Sequence, residues 1–303
     1  MVRTVAETIK EITKSYINKN KGLVIGQCLS AVGWVQNTVP AQKKNIIELP
    51  MTDIAGAGIA VGIALTKIRP IFILRFQSFL WLNASPLINH AAKAKEIFNY
   101  PAPVFIRAIA SESVSSGPVH TNCYHSPFAH MPGLPICAPM TPKEYLSIWK
   151  TYLNNDDPLL VSEHRRSYKE KIEFKDTINK KSKMSLFLIS ASRFEEIKIV
   201  ELLKRKYNYK IDIFHIVWLK PFKIKKIYLK SLYKTKLGLV VDSTYETCSI
   251  SEHIAFKLMH NVSNSKVYNL GMKNKSPGCT KRLMNGTPSA KEIVKKINLV
   301  LKK

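Results

Sequence analysis

The chain has no apolar run long enough to form a membrane-crossing helix. Its smoothest stretch, "IAGAGIAVGIAL" (54–65), is about a dozen residues, against the roughly 20 that a bilayer requires; no membrane is expected among its partners. Cysteine is sparse. Cys28, Cys123, Cys137, Cys248 and Cys279 are odd in number and contain no C-x-x-C pair, which argues against a disulfide framework and for a reducing compartment. The opening "MVRTVAETIKEITKSYINKNKG" lacks an apolar signal core and carries acids, so a cytoplasmic location is expected. Also missing are G-x-G-x-x-G, G-x-x-x-x-G-K-[ST] and G-x-S-x-G. Dinucleotide, P-loop and hydrolase-elbow chemistry therefore lack the turns on which they are built.

Acids are also in short supply, with 21 Asp and Glu against 47 Lys and Arg, a net charge of +26. Residues 1–150 carry +8 and residues 151–303 carry +18. A nucleic-acid protein concentrates such charge around aromatic residues or a recognition motif. "KIKKIYLKSLYKTK" (223–236) comes nearest. The excess is nearly all Lys, however, and accompanies abundant Ile and Asn, as AT-rich codon usage produces. Nucleic acid is therefore not an expected partner; a basic face for an acidic protein fits better.

What is present is alternation. "GLVIG" (22–26), "RPIFIL" (69–74), "PVFIRAIA" (103–110) and "DPLLVSE" (157–163) read as buried strands, with helical stretches at 3–17, 53–66, 82–98 and 142–154 between them. "KEKIEFKDTINKKSK" (169–183) is charged and aperiodic, a linker. Strands at 185–190, 211–219, 237–242 and 266–270 follow, with helices at 193–207 and 249–260. Ser289 and Glu292 then form a capping box for a final helix. The expected fold is α/β in two domains, 1–168 and 184–303, each a mainly parallel sheet flanked by helices.

Two stretches could carry chemistry. In "ELPMTDIAGAGIAVGIAL" (48–65), Asp53 stands alone at the mouth of an apolar helix. Either Thr52 or Asp53 caps the helix, or the acid points into a site behind which small residues allow close packing. The loop "SGPVHTNCYHSPFAHMPGLPICAPMTP" (116–142) carries His120, Cys123, His125 and His130. Histidines five apart share no helix or strand face. Solvated histidines, a zinc site of His120, Cys123 and His125, and a pocket for an anionic substrate are the three readings. "EHRR" (163–166) sits at a strand end, where α/β sites gather.

Four segments taken in order resemble a known family: "ELPMTDIAGAGIAVGIAL", "IRPIFILRFQSFLWLNASPLINHAAKAKE", "GPVHTNCYHSPFAHMPGL" with "CAPMTPKEY", and "DDPLLVSEH". The family is the β subunits of the heterotetrameric, thiamine-diphosphate-dependent 2-oxo acid dehydrogenases, in the transketolase-like group. The resemblance covers nearly the whole chain. It implies a transketolase-like pyrimidine-binding domain followed by a transketolase C-terminal domain. It also implies that Asp53 holds the position of a carboxylate, normally Glu, which hydrogen-bonds the cofactor's aminopyrimidine and favours the tautomer that takes the thiazolium proton. Phe79 matches the aromatic that stacks on the pyrimidine. His120 matches the loop histidine near the thiazolium and the substrate carboxylate, and His130 falls on a second histidine ahead of "PGL". Asn155 and Asp157 lie where some members hold a monovalent cation such as K+.

Members that bind the diphosphate carry G-D-G followed by Asn for Mg2+, and this chain has no G-D-G. The resemblance thus implies an α subunit that holds Mg2+ and the diphosphate, an α2β2 assembly, a small 2-oxo acid substrate and a lipoyl acyltransferase partner. Departures from the pattern are informative. Asp53 is one methylene shorter than Glu, about 1.5 Å less reach. Gln27–Cys28 replaces an acid pair beside the cofactor, Arg75 adds a charge usable on an anionic substrate, and His125 is an extra histidine in the substrate loop. Two other roles fit the same scaffold: a split transketolase-like synthase acting on a sugar or aldehyde, and a non-catalytic partner subunit.

Overall fold

The structure, a computed structural model, describes residues 3–19, 22–112 and 116–302. The chain forms two compact units, Met1–Ser111 with Phe128–Glu173, and Glu112–Pro127 with Phe174–Lys303. The loop 112–127 thus groups with the second unit, although its place in the sequence is inside the expected first domain. Side-chain bonds explain this. Tyr245 Oη donates to Asn122 Oδ1 (2.9 Å), Thr244 Oγ1 to Cys123 O (3.1 Å), and Ile250 N to Ser126 Oγ (3.1 Å).

In the first unit, strands β1 (Leu23–Gln27), β2 (Ile46–Leu49), β3 (Pro70–Leu74), β4 (Phe105–Ala110), β5 (Ile136–Cys137) and β6 (Leu159–His164) run in the order β2-β1-β3-β4-β6-β5. Every pairing among them is parallel. Strands β3, β4 and β6 are buried at every residue, and they read as largely apolar runs, with Arg107 in β4 and Ser162, Glu163 and His164 in β6 as the polar exceptions. Helices Val5–Lys19, Asp53–Leu65 and Pro142–Leu153 flank them. The expected helix at 82–98 is instead broken into a short helix Phe79–Leu82, a π-helical turn Pro86–Ala91 and a helix Ala92–Phe98. Pro86 lacks the N–H that a continuous helix needs at that point.

The charged residues of β4 and β6 satisfy one another. Arg107 Nε and Nη2 donate to the two oxygens of Glu163 at 2.6 and 3.0 Å, Nη2 also donates to Thr38 Oγ1, and Tyr145 and Tyr168 donate to the same carboxylate. Burial alone would lower the Arg107 pKa, but the Glu163 charge outweighs it and keeps the guanidinium protonated. The "EHRR" acid is therefore structural.

In the second unit, β7 (Ser185–Ile189), β8 (Asp212–Ile216), β9 (Trp218–Lys220), β10 (Leu237–Tyr245) and β11 (Lys266–Met272) include a parallel sheet in the order β11-β10-β7-β8. Its core packs Leu186, Leu188 and Val241 against Ile199 and Leu203 of the helix Glu196–Tyr207 and Ile293 and Ile297 of the helix Ala290–Leu301. The Ser289–Glu292 capping box is formed in both directions. The lysine-rich segment at 223–236 holds the helix Lys226–Thr235, whose Tyr228, Ser231 and Leu232 are buried. Tyr228 packs on Phe187 and Phe214, at ring-centroid distances of 5.4 and 5.0 Å. It is a core residue and offers no face to a nucleic-acid base. Among the described residues, no helix is long and apolar enough to cross a membrane.

Candidate active site

Because β1 and β2 are parallel, with Gln27 opposite Leu49, the turn that follows β2 returns the chain to the end of β1. Just ahead of Gln27 the sheet requires glycine: a Cβ on Gly26 would lie 2.6 Å from Ile73 O. The helix Asp53–Leu65 begins at this turn, and its N-cap Thr52 makes no side-chain cap bond. Gln27 supplies the cap from outside the helix. With both ends of its amide satisfied, Gln27 Oε1 accepts from Thr52 N and Asp53 N at 2.9 Å each, and Nε2 donates to Asp53 Oδ1 at 2.9 Å. This corrects the local reading in which Thr52 or Asp53 caps its own helix. The Asp53 carboxylate is left half-buried, held at one oxygen.

Gln27, Asp53, Arg75 and Phe79 come together around one cavity of about 110 Å³, with Met51, Gly56, Phe72, Phe76 and Asn83 among its other walls. An apolar cavity of about 150 Å³ admits benzene, so this one is on the scale of a single six-membered ring. Phe79 meets Phe76 edge-on at 6.1 Å. Asn83, which the sequence reading missed, ties the walls together: its Oδ1 accepts from Ala57 N (3.1 Å) and its Nδ2 donates to Phe79 O (2.9 Å). Arg75 Nη1 donates to Cys28 O at 3.2 Å, and its buried Nε has no hydrogen-bond partner among the described residues. Arg165 donates to Arg75 O (3.0 Å) and lies over the Phe76 ring at 4.3 Å. The cavity thus offers aromatic walls and a half-buried carboxylate to a ligand, and Arg75 has a donor to spare for an anion.

His120 closes the short helix Gly117–His120 and is half-buried in the second unit. His125 is in the same loop but is not a substrate contact. It is fully buried, with Nε2 2.8 Å from Asp242 Oδ2 and Nδ1 3.2 Å from Cys123 Sγ, so both ring nitrogens are committed. That arrangement also removes the zinc reading; among the described residues, no cluster of His, Cys, Asp and Glu is placed to hold a metal ion. His130, in the first unit, is exposed and is not among the residues lining the cavity. Asn155 and Asp157 lie in the turn after the helix Pro142–Leu153, also away from the cavity lining. Asn155 Nδ2 donates to Thr151 O at 2.7 Å, and Asp157 pairs with Lys95 at 3.4 Å.

A carboxylate, an arginine and aromatic walls at the carboxyl ends of parallel strands define an α/β ligand-binding fold. Residues 4–171 match the transketolase pyrimidine-binding domain family, and the chain belongs to that family. It is similar to the 2-oxoisovalerate dehydrogenase subunit beta of Bacillus subtilis, 30% identical over 129 residues, which are 42% of this chain and 39% of that protein. It is also similar to the pyruvate dehydrogenase E1 component subunit beta of Staphylococcus epidermidis, 24% identical over 275 residues and 84% of each chain. Of solved structures, a split-gene transketolase described as an inactive beta4 tetramer gives a TM-score of 0.75 at 14% identity, covering 100% of this chain and 99% of that one. Transketolase from Campylobacter jejuni gives 0.72 at 17% identity, covering 99% of this chain and 47% of that one. These two likenesses establish the fold.

Proposed function

We propose that the chain is the β subunit of a thiamine-diphosphate-dependent 2-oxo acid dehydrogenase-like enzyme, holding the aminopyrimidine half of the cofactor. The observation that carries this reading is the Gln27–Asp53 pair at a ring-sized cavity walled by Phe79. The extent of the Staphylococcus similarity supports it. When bound, the cofactor supplies the electron sink for decarboxylation. The chain's own residues bind and orient it. Phe79 stacks on the ring, Asp53 Oδ2 accepts from a ring nitrogen, and Gln27 holds Oδ1 so that the short carboxylate keeps one direction. Arg75 takes the carboxylate of a small 2-oxo acid. His120 and His130 are the proposed substrate-side histidines.

Mg2+ and the diphosphate fall to an α subunit in an α2β2 assembly. The outer face of the helix Asp53–Leu65 suits such a partner, since Ile54, Ala55, Gly58, Ile59 and Gly62 are exposed and a Cβ on Gly58 or Gly62 would meet nothing within 4 Å. The acyl acceptor is a lipoyl acyltransferase with an acidic docking face, matched to the +18 of residues 151–303. A reducing, cytoplasmic setting agrees with five free cysteines.

Co-expression with a candidate α chain, followed by calorimetric titration of thiamine diphosphate and Mg2+, tests the proposal. Binding by the pair and decarboxylation of a 2-oxo acid are expected. No binding would sink the reading, and ketol transfer to an aldehyde would move the protein to the synthase class. Gln27 has its own prediction. Gln27→Ala removes the helix cap and is expected to cost about 1 kcal/mol, read by urea denaturation. Gln27→Glu replaces the donor to Asp53 Oδ1 with a second carboxylate, whose repulsion opposes the Asp53 charge, and is expected to slow thiazolium-proton exchange. Exchange unchanged in Gln27→Glu would show that Gln27 does not act through Asp53.

A further inference from the structure

The turn after the helix Pro142–Leu153 presents an oxygen-only set of acceptors. The carbonyls of Tyr152 and Asn155 and the Asp156 carboxylate converge, at a helix C-terminus where backbone carbonyls lack intrahelical donors and the dipole is negative. Such a set suits a hard cation. Here it is already taken. Arg69, just before β3, donates Nη1 to Tyr152 O at 3.0 Å and to Asn155 O at 2.6 Å, and Nη2 to Asp156 Oδ1 at 2.5 Å. Its guanidinium also lies 5.6 Å from the Tyr152 ring centroid. The neighbouring carboxylate, Asp157, is engaged by Lys95. The Asn155 side chain points its amide nitrogen at Thr151 O. The two residues expected to hold K+ therefore do not fit it.

We infer that Arg69 is the resident cation of this turn and that the chain needs no bound monovalent metal ion to hold it. A guanidinium suits the task because it is always charged and presents several donors in one plane, so one side chain serves three acceptors. Covalent attachment also removes any dependence on ion concentration. The inference stands apart from the proposed function, because it concerns how the turn is held and not what the cavity binds.

Thermal unfolding of the full chain in KCl, NaCl and choline chloride at one ionic strength tests it. The wild type is expected to give the same Tm in all three. Arg69→Ala is expected to lower Tm by about 5 °C and, with its oxygens freed, to regain part of that loss in KCl but not in choline chloride. Arg69→Lys keeps the charge and is expected to lose less, without salt specificity; it serves if Arg69→Ala does not fold. A wild-type Tm several degrees higher in KCl than in choline chloride would overturn the inference. So would an Arg69→Ala Tm equal to wild type in every salt.

Discussion

Replacing Asp53 with Ala, in the chain assembled with its α partner and loaded with cofactor, is expected to slow exchange of the thiazolium proton by about 10²- to 10⁴-fold, the usual contribution of a positioned acid–base group. The readout is proton-for-deuteron exchange followed by NMR. Stability should change little, because the helix is capped by the Gln27 amide through the backbone N–H groups of Thr52 and Asp53, which Ala retains. Asp53→Asn should be as slow as Asp53→Ala, since a neutral amide cannot share the proton. Asp53→Glu tests reach: a gain would mean that the shorter acid limits activation. If the loaded Asp53→Ala protein exchanges as fast as wild type, Asp53 is not the activating acid. If the wild-type pair binds no cofactor, the proposed function itself falls, and the two failures are told apart by the binding titration.

The second large effect is on the loop that carries His120. His125 and Asp242 form a fully buried pair that pins this loop to β10, and removing one member of such a pair typically costs about 3–5 kcal/mol. Burial alone would depress the His125 pKa, but the Asp242 charge, the Cys123 sulfur and their hydrogen bonds raise it well above the ordinary histidine value. Above pH 6.5 the folded state therefore holds a proton that the unfolded state releases. The pair's contribution is complete below about pH 6.5 and declines as pH rises toward the raised value. Urea denaturation from about pH 6 to about pH 9 should show this decline in the wild type. In Asp242→Asn, the loss should be largest at the acidic end and the slope should flatten. Parallel curves for the two proteins would show that His125 is not charged in the fold.

Much of the architecture is local and therefore legible. Strands buried on both faces are mostly apolar, as β3 is throughout and as β4 and β6 are apart from Arg107 and Ser162–His164, and helix starts announce themselves by spacing, as Ser289 and Glu292 do. Elements without such a signature escape. Strand β2 lies at the end of the first unit's strand order with its inner residues exposed, and the helix Lys226–Thr235 hides three buried residues among lysines. The acid and the aromatic of the cavity, Asp53 and Phe79, were also visible, through motif order.

What the linear order alone determined is the two-block parallel α/β plan, the cap signals and the identity of the acid at the mouth of the apolar helix. The tertiary structure decided which groups those residues answer to. Gln27 reaches Asp53 because parallel pairing brings the ends of β1 and β2 side by side. His125 is buried because Asp242, 117 residues away, faces it at 2.8 Å. Arg69 meets the turn at Tyr152–Asp156 from more than 80 residues away. Periodicity reports which face of an element is buried, whereas charge partners depend on strand order and register, which only the packed chain establishes.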